Sequence, residues 1–108
     1  MIVRVSRGRF EPALSERIAA MLDAGEELLR PALRRMAGLR DYYVALDASA
    51  GVMVNISVWD TLEHAQAMAT LPEMLAQRDR FLAAGVQFEP ILNHDILWQI
   101  DTRDVEAN

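Results

Sequence analysis

The 108-residue chain contains neither cysteine nor lysine, and all 11 residues of its Lys+Arg complement are arginine. Without cysteine there are no disulfides, no thiolate nucleophile, no zinc ribbon and no iron–sulfur ligation. Without lysine there is no Schiff-base chemistry on pyridoxal phosphate or keto substrates, and no Walker-type phosphate loop. Histidine is scarce as well: His64 and His94 are the 2 copies, and no HxH, HxxxH or Glu/His cluster accompanies them, which argues against a metal site. The formal net charge of -5 leaves no cationic excess for phosphate backbones, so nucleic acid is excluded as an expected partner. The basic group Arg30, Arg34, Arg35 and Arg40 reads as a solvated helix end whose cations suit the negative end of the helix dipole. No apolar run approaches the roughly 18 residues that a membrane span needs. The strand-like start Met1 to Val5 shows no basic-then-apolar leader, so a cytoplasmic protein is expected.

What is present is ordinary for a small globular domain: 52% hydrophobic and 25% charged residues. A chain of this length forms one domain that buries roughly 60 to 70% of its unfolded surface. The expected domain covers residues 1–101, with a frayed tail over 102–108.

Hydrophobic periodicity alternates between two and 3.6 residues along the chain. Ile2 to Ser6 reads as a strand. Phe10-Glu11-Pro12 opens a helix with proline in its first turn, and its apolar stripe runs to about residue 37, where Gly38 closes it. Gly25 and Pro31 lie inside that stripe, so a kinked or two-piece helix is expected. Leu39 to Asp47 and Val52 to Trp59 are strands joined by the short loop Ala48-Ser49-Ala50-Gly51, a hairpin signal. A second helix starts at Asp60 or Thr61, breaks at Pro72, restarts, and ends at Gly85. A final strand, Gln87 to Ile100, is broken or bulged near Pro90, which lacks the N–H of a ladder residue. The order β-α-β-β-α-β is the split arrangement of ferredoxin-like α+β domains: a four-stranded antiparallel sheet with its helices on one face. Apolar residues occupy both faces of the third strand, Val54, Ile56 and Val58 on one and Met53 and Trp59 on the other. The helices of one chain cover only one face, so a homodimer through the open sheet face is expected.

The stretch Val52 to Thr61 carries the strongest functional signal. Strand side chains alternate, so Asn55, Ser57 and Trp59 share a face. Enclosed amide and indole groups persist where a partner, water or ligand satisfies them, because leaving one unmet costs about 1 to 3 kcal/mol. This face is therefore the expected wall of a pocket.

The element order, the size, Gly38-Leu39 leading into the second strand, and Val54-Asn55 followed by Val58-Trp59-Asp60-Thr61 with helical Glu63 resemble the antibiotic biosynthesis monooxygenase family of dimeric α+β barrels, over roughly residues 1 to 100. Such barrels host oxygenases, isomerases, decarboxylases and proteins of no established role, so the resemblance speaks first for architecture. Within that family the chain is most similar to cofactor-free monooxygenases that convert phenolic polyketides to quinones. Their strand asparagine and the tryptophan four residues on fall on Asn55 and Trp59. An arginine in the following helix completes their site; the gapless position here is Asp79, flanked by Arg78 and Arg80. A tyrosine early in that helix is replaced by Ala65.

The resemblance implies a reaction of a small aromatic phenol or hydroquinone with dioxygen and no cofactor, with Asn55, Trp59 and either Arg78 or Arg80 as catalytic residues. Haem-degrading members differ: their helical tryptophan and histidine positions hold Met68 and Arg78, and Met1 to Arg7 contains no asparagine. Members that use a pocket histidine leave His64 and His94 as candidates. His94 is in phase with Leu92, Ile96 and Trp98 and is expected in apolar surroundings. Tyr42 and Tyr43 point to opposite sides of the second strand, so one of them at most lines a given cavity. Ser57, Met68 and Trp98 complete the expected ligand-facing set. The competing reading is a non-catalytic small-molecule binder or stress-related homodimer, since an enclosed site with Asn, Trp and Met side chains suits any flat aromatic ligand.

Overall fold

The structure, a computed structural model, describes residues 1–103; the part of the expected tail over 104–108 lies outside the described residues. Its strands are β1 (Ile2–Arg9), β2 (Leu39–Asp47), β3 (Val52–Trp59), β4 (Gln87–Phe88) and β5 (Leu92–Asp95), and its helices are α1 (Ser15–Arg34), α2 (Leu62–Gln66) and α3 (Pro72–Ala83). The sheet runs β2-β3-β1-β4, with β5 also paired to β1, and all of these pairings are antiparallel. This is the ferredoxin-like order expected from the sequence, with the fourth strand delivered in two pieces.

Local chemistry accounts for the boundaries. Pro12 opens a 3-10 turn that leads into α1, and Glu16 in the first turn and Arg34 in the last match the helix dipole. The helix is one continuous span rather than two pieces. Pro31 and Glu27, whose carbonyl the missing N–H would have met, both lie on the exposed side of the helix, so the lost bond falls away from the core. The β2–β3 hairpin turns at Gly51, whose φ of 67° is the left-handed conformation that glycine adopts without strain. Thr61 caps α2 by accepting the backbone N–H of His64 at 3.2 Å. A 3-10 stretch, Ala67–Thr70, separates α2 from α3, and Pro72 starts the latter.

The last strand is shorter than the sequence pattern implies. Glu89 N–H bonds to the Arg7 carbonyl across the Pro90 break, and Ile96 N–H bonds to the Met1 carbonyl. Because Asp95 pairs with Ile2, residues beyond 96 have run past the start of β1 and have no ladder to join. Trp98, expected in that strand, lies outside it and is 76% exposed.

The helices pack on the face carrying Ile2, Arg4, Gly8, Met53, Ser57 and Trp59, all of them buried. The opposite face carries Val3, Val5, Val54, Ile56 and Val58, none buried, together with exposed Tyr43 and Leu92. Cross-strand pairing aligns these into rows, Tyr43–Ile56–Val5–Leu92 and Asp41–Val58–Val3–His94. Beneath the helices the core is divided. One cluster is built on Phe10, Ile18, Met53, Phe81, Ala84 and Val86, the other on Ile2, Leu33, Trp59, Ala65 and Met68.

Candidate functional site

The division follows from the order of rows on the helix-covered face. Register places Leu39–Trp59–Ile2 at one end and Leu46–Met53–Gly8 at the other, with Tyr42–Ser57–Arg4 and Val44–Asn55–Ser6 between them. Apolar end rows seed the two clusters. The two middle rows bring polar side chains to the centre, and there the helices stand off the sheet around a cavity of about 890 Å3. Its walls include Arg4, Ser6, Tyr42 and Asn55 from the sheet, Gly25 and Leu29 from α1, Met68, and Met74, Gln77 and Arg78 from α3.

Three of these side chains carry buried polar atoms without a hydrogen-bond partner among the described residues: Tyr42 Oη, Asn55 Oδ1 and Gln77 Nε2. Native interiors rarely tolerate such atoms, and all three belong to residues that border one cavity. Gln77 is 5% exposed, and its amide lies against Gly25: a Cβ on that glycine would stand 2.9 Å from Gln77 Oε1. Burial pushes the Tyr42 phenol up to about 12, although the positive charge of Arg4 pulls the other way. Tyr42 is therefore a neutral hydroxyl at any physiological pH. Arg4, 7% exposed, is lowered from the usual arginine value chiefly by burial.

Asn55 and Trp59 share a face, as alternation requires, but the structure separates their surroundings. Asn55 lines the cavity. Trp59 is 0% exposed inside the Ile2–Leu33–Met68 cluster, is not part of the cavity wall, and donates its indole N–H to Ser57 Oγ at 2.8 Å. That bond occupies the donor expected to face a ligand. Ser57 is buried beside it and also lies off the wall.

Of the two helical arginines, Arg78 lines the cavity rim as an exposed side chain with its guanidinium 5.4 Å from the centre of the Phe88 ring, whereas Arg80 is exposed and off the wall. Tyr42 and Met68 line the cavity; Tyr43, on the other face of β2, does not. His64 lies outside it, with Nδ1 2.6 Å from Asp60 Oδ1, a contact that holds the Asp60 carboxyl below its usual value. His94, expected among apolar neighbours, is exposed on the open face opposite Val3, because the short edge strand carries nothing beyond it. No group of three His, Asp or Glu side chains able to hold a metal ion occurs among the described residues. No described helix is long and apolar enough to cross a membrane.

Gln77 and Arg4 are among the cavity residues not singled out from the sequence. Gln77 lies in phase with Met74 and Phe81 on α3, a polar residue at a core position, which is a readable signal. Arg4 alternates with Val3 and Val5, which by itself reads as a solvated position and gave no sign of the helices above it.

No family model matches the chain, and no curated protein matches it. Solved structures do. A structure from Deinococcus radiodurans named as an antibiotic biosynthesis monooxygenase superposes with a TM-score of 0.71 at 18% identity, covering 94% of this chain and 97% of that one. Rv0793 from Mycobacterium tuberculosis gives 0.68 at 17% identity, covering 93% and 98%. SnoaB from Streptomyces nogalater, named as a cofactor-independent oxygenase, gives 0.60 at 19% identity, covering 92% and 95%. The α+β sandwich of one antiparallel sheet and its helices is the fold that this chain shares with these antibiotic biosynthesis monooxygenase-like structures.

Proposed function

We propose that the chain is a cofactor-independent monooxygenase-like protein that binds a small aromatic phenol or hydroquinone in the central cavity and brings it to dioxygen. The observation that carries this reading is the cavity wall: apolar side chains at both ends, and between them Tyr42, Asn55 and Gln77 with unmet hydrogen-bonding atoms beside a buried cation. Apolar walls with a few convergent polar groups suit a flat aromatic ligand with oxygen substituents. An ionised phenol supplies its own electrons to dioxygen. The protein has only to stabilise negative charge, exclude water and hold the pair together. One oxygen atom then stays on the ring as a quinone carbonyl and the other leaves as water. The likeness to SnoaB, named as a cofactor-independent oxygenase, supports the same kind of chemistry.

In this reading Asn55 contacts the ligand's oxygen functions and Arg78 guards the rim. Trp59 shapes the end of the cavity through packing and through Ser57. A second copy of the chain covers the open face, where Tyr43, Ile56, Val5 and Leu92 form an uncovered apolar row.

The occupied indole N–H of Trp59 favours one second reading, a binder without turnover, because the donor that the related oxygenases are expected to use is not offered to a ligand. Oxygen uptake with a panel of anthrone-like phenols and hydroquinones separates the two. Uptake that disappears in Asn55→Ala supports the oxygenase; tight binding with no uptake by the native protein overturns it in favour of the binder.

A further inference from the structure

We propose that Arg4 is the anion receptor of the cavity, taking the ionised oxygen of an aromatic ligand, a ring-borne phenolate or carboxylate, and holding a phenol in its deprotonated form while it is bound. This rests on the aromatic-ligand reading of the cavity and adds to it the charge state of the ligand and the residue that fixes it.

Arg4 is the one charged side chain buried among the described residues. It makes no ion pair and no side-chain hydrogen bond within them. A lysine or histidine so placed would shed its proton, but arginine keeps its charge in proteins, so the cation stands in the wall without an anion. The acids around the cavity are committed or solvated. Glu26 pairs with Arg30, Glu89 pairs with Arg7 and Arg9, and Asp23 and Asp41 are exposed. Arg30, Arg34, Arg40 and Arg78 also border the cavity, yet all four are exposed, where water screens their fields. The field at the centre therefore comes from Arg4.

The neighbours of Arg4 suit the same ligand group. Register sets Arg4 and Tyr42 on either side of Ser57 in one row across β1, β3 and β2, and the charge of Arg4 is felt at the Tyr42 phenol. A guanidinium fork only donates, and the neutral Tyr42 phenol beside it has an O–H to give, so together they favour an oxygen that carries negative charge. Asn55, one row on, and Gln77, from α3 above, supply amides for the remaining ring substituents. When a neutral phenol enters, its proton leaves to the buffer and the oxyanion remains on Arg4.

The test uses the full chain and para-nitrophenol, whose phenolate is coloured, with naphthoate as a second probe. In the native protein the bound phenol should ionise about one pH unit or more below the free one, the size of shift an adjacent opposite charge produces. At a pH between the free and bound values, binding should release about half a proton per site for a one-unit shift. Arg4→Gln and Arg4→Met should abolish the shift and weaken naphthoate at least about tenfold. Far-UV circular dichroism reports whether each variant is folded, and Tyr42→Phe, which keeps the charge and removes one donor, gives a partial shift even if the Arg4 variants do not fold. An unchanged or raised phenol pKa on the native protein, equal shifts in Arg4→Met, or no binding of either probe overturns the proposal. Oxygen uptake is recorded in parallel. Uptake without the shift leaves the oxygenase reading standing and removes the anion receptor; the shift without uptake does the reverse.

Discussion

Tyr42→Phe removes a single oxygen atom, and the structure fixes the sign of the effect. That oxygen has no hydrogen-bond partner among the described residues and is closed to solvent, so its deletion breaks no bond within the protein. A buried hydroxyl left unmet costs about 1 to 3 kcal/mol. Part of that cost is offset by the dipole's attraction to the neighbouring Arg4 charge, so a net gain of about 1 kcal/mol is expected in the ligand-free protein. For a domain of this size such a gain raises the unfolding midpoint by about 4 to 8 °C.

The alkaline limb provides an independent reading of the same group. The phenol is raised from an ordinary 10.0 to about 12 in the folded state, so the native protein holds this proton more tightly than the unfolded chain does. The corresponding stability is fully present below pH 10.0 and is lost as the pH rises through about 12, and Tyr42→Phe should flatten that decline. Urea denaturation at neutral and alkaline pH measures both effects, and a Tyr43→Phe background leaves Tyr42 as the only tyrosinate signal. A lowered midpoint in Tyr42→Phe would show that the hydroxyl has a partner and refute the account of the cavity wall.

Gly25→Ala places a methyl group 2.9 Å from Gln77 Oε1, the movable end of a flexible side chain. The helix gains about 1 kcal/mol in propensity and loses a similar amount to crowding, so thermal unfolding should change by little while affinity for an aromatic ligand falls by titration calorimetry. Trp59→Phe strips the donor from Ser57 Oγ and leaves a gap in the cluster around Met68; urea denaturation should show a loss of about 1 to 3 kcal/mol, and an unchanged midpoint would contradict the packing described. Asp60 is held below its ordinary 3.8 mainly by the hydrogen bond to His64, so its contribution is present above that value and lost as pH falls through the lowered one. Asp60→Asn should make the acid limb of the unfolding curve shallower.

The element order, a cap at Asp60 or Thr61, the turn closing on Gly51 and the restart at Pro72 were legible because each depends on residues within a few positions of one another. The end of the last strand was not, since it depends on where β1 begins, more than ninety positions away in the chain for the Ile2–Asp95 pair. The site divides in the same way. Alternation correctly assigns Asn55, Ser57 and Trp59 to one face, but it is silent about what lies above each row. Ala65 and Met68 close over Trp59, while the space above Asn55 stays open between α1 and α3. Arg4 was hidden for the same reason: a charge between two valines reads as an outward position until the helical layer is known.

A domain whose greasy interior comes in two parcels, divided by a damp middle, does not have to loosen all at once. Either parcel can breathe while its counterpart holds, with the rows through Arg4 and Asn55 as the line of flexure. Whatever fills that middle ties the parcels together like a crossbar, so occupancy should slow amide exchange at the Trp59 end and the Met53 end alike.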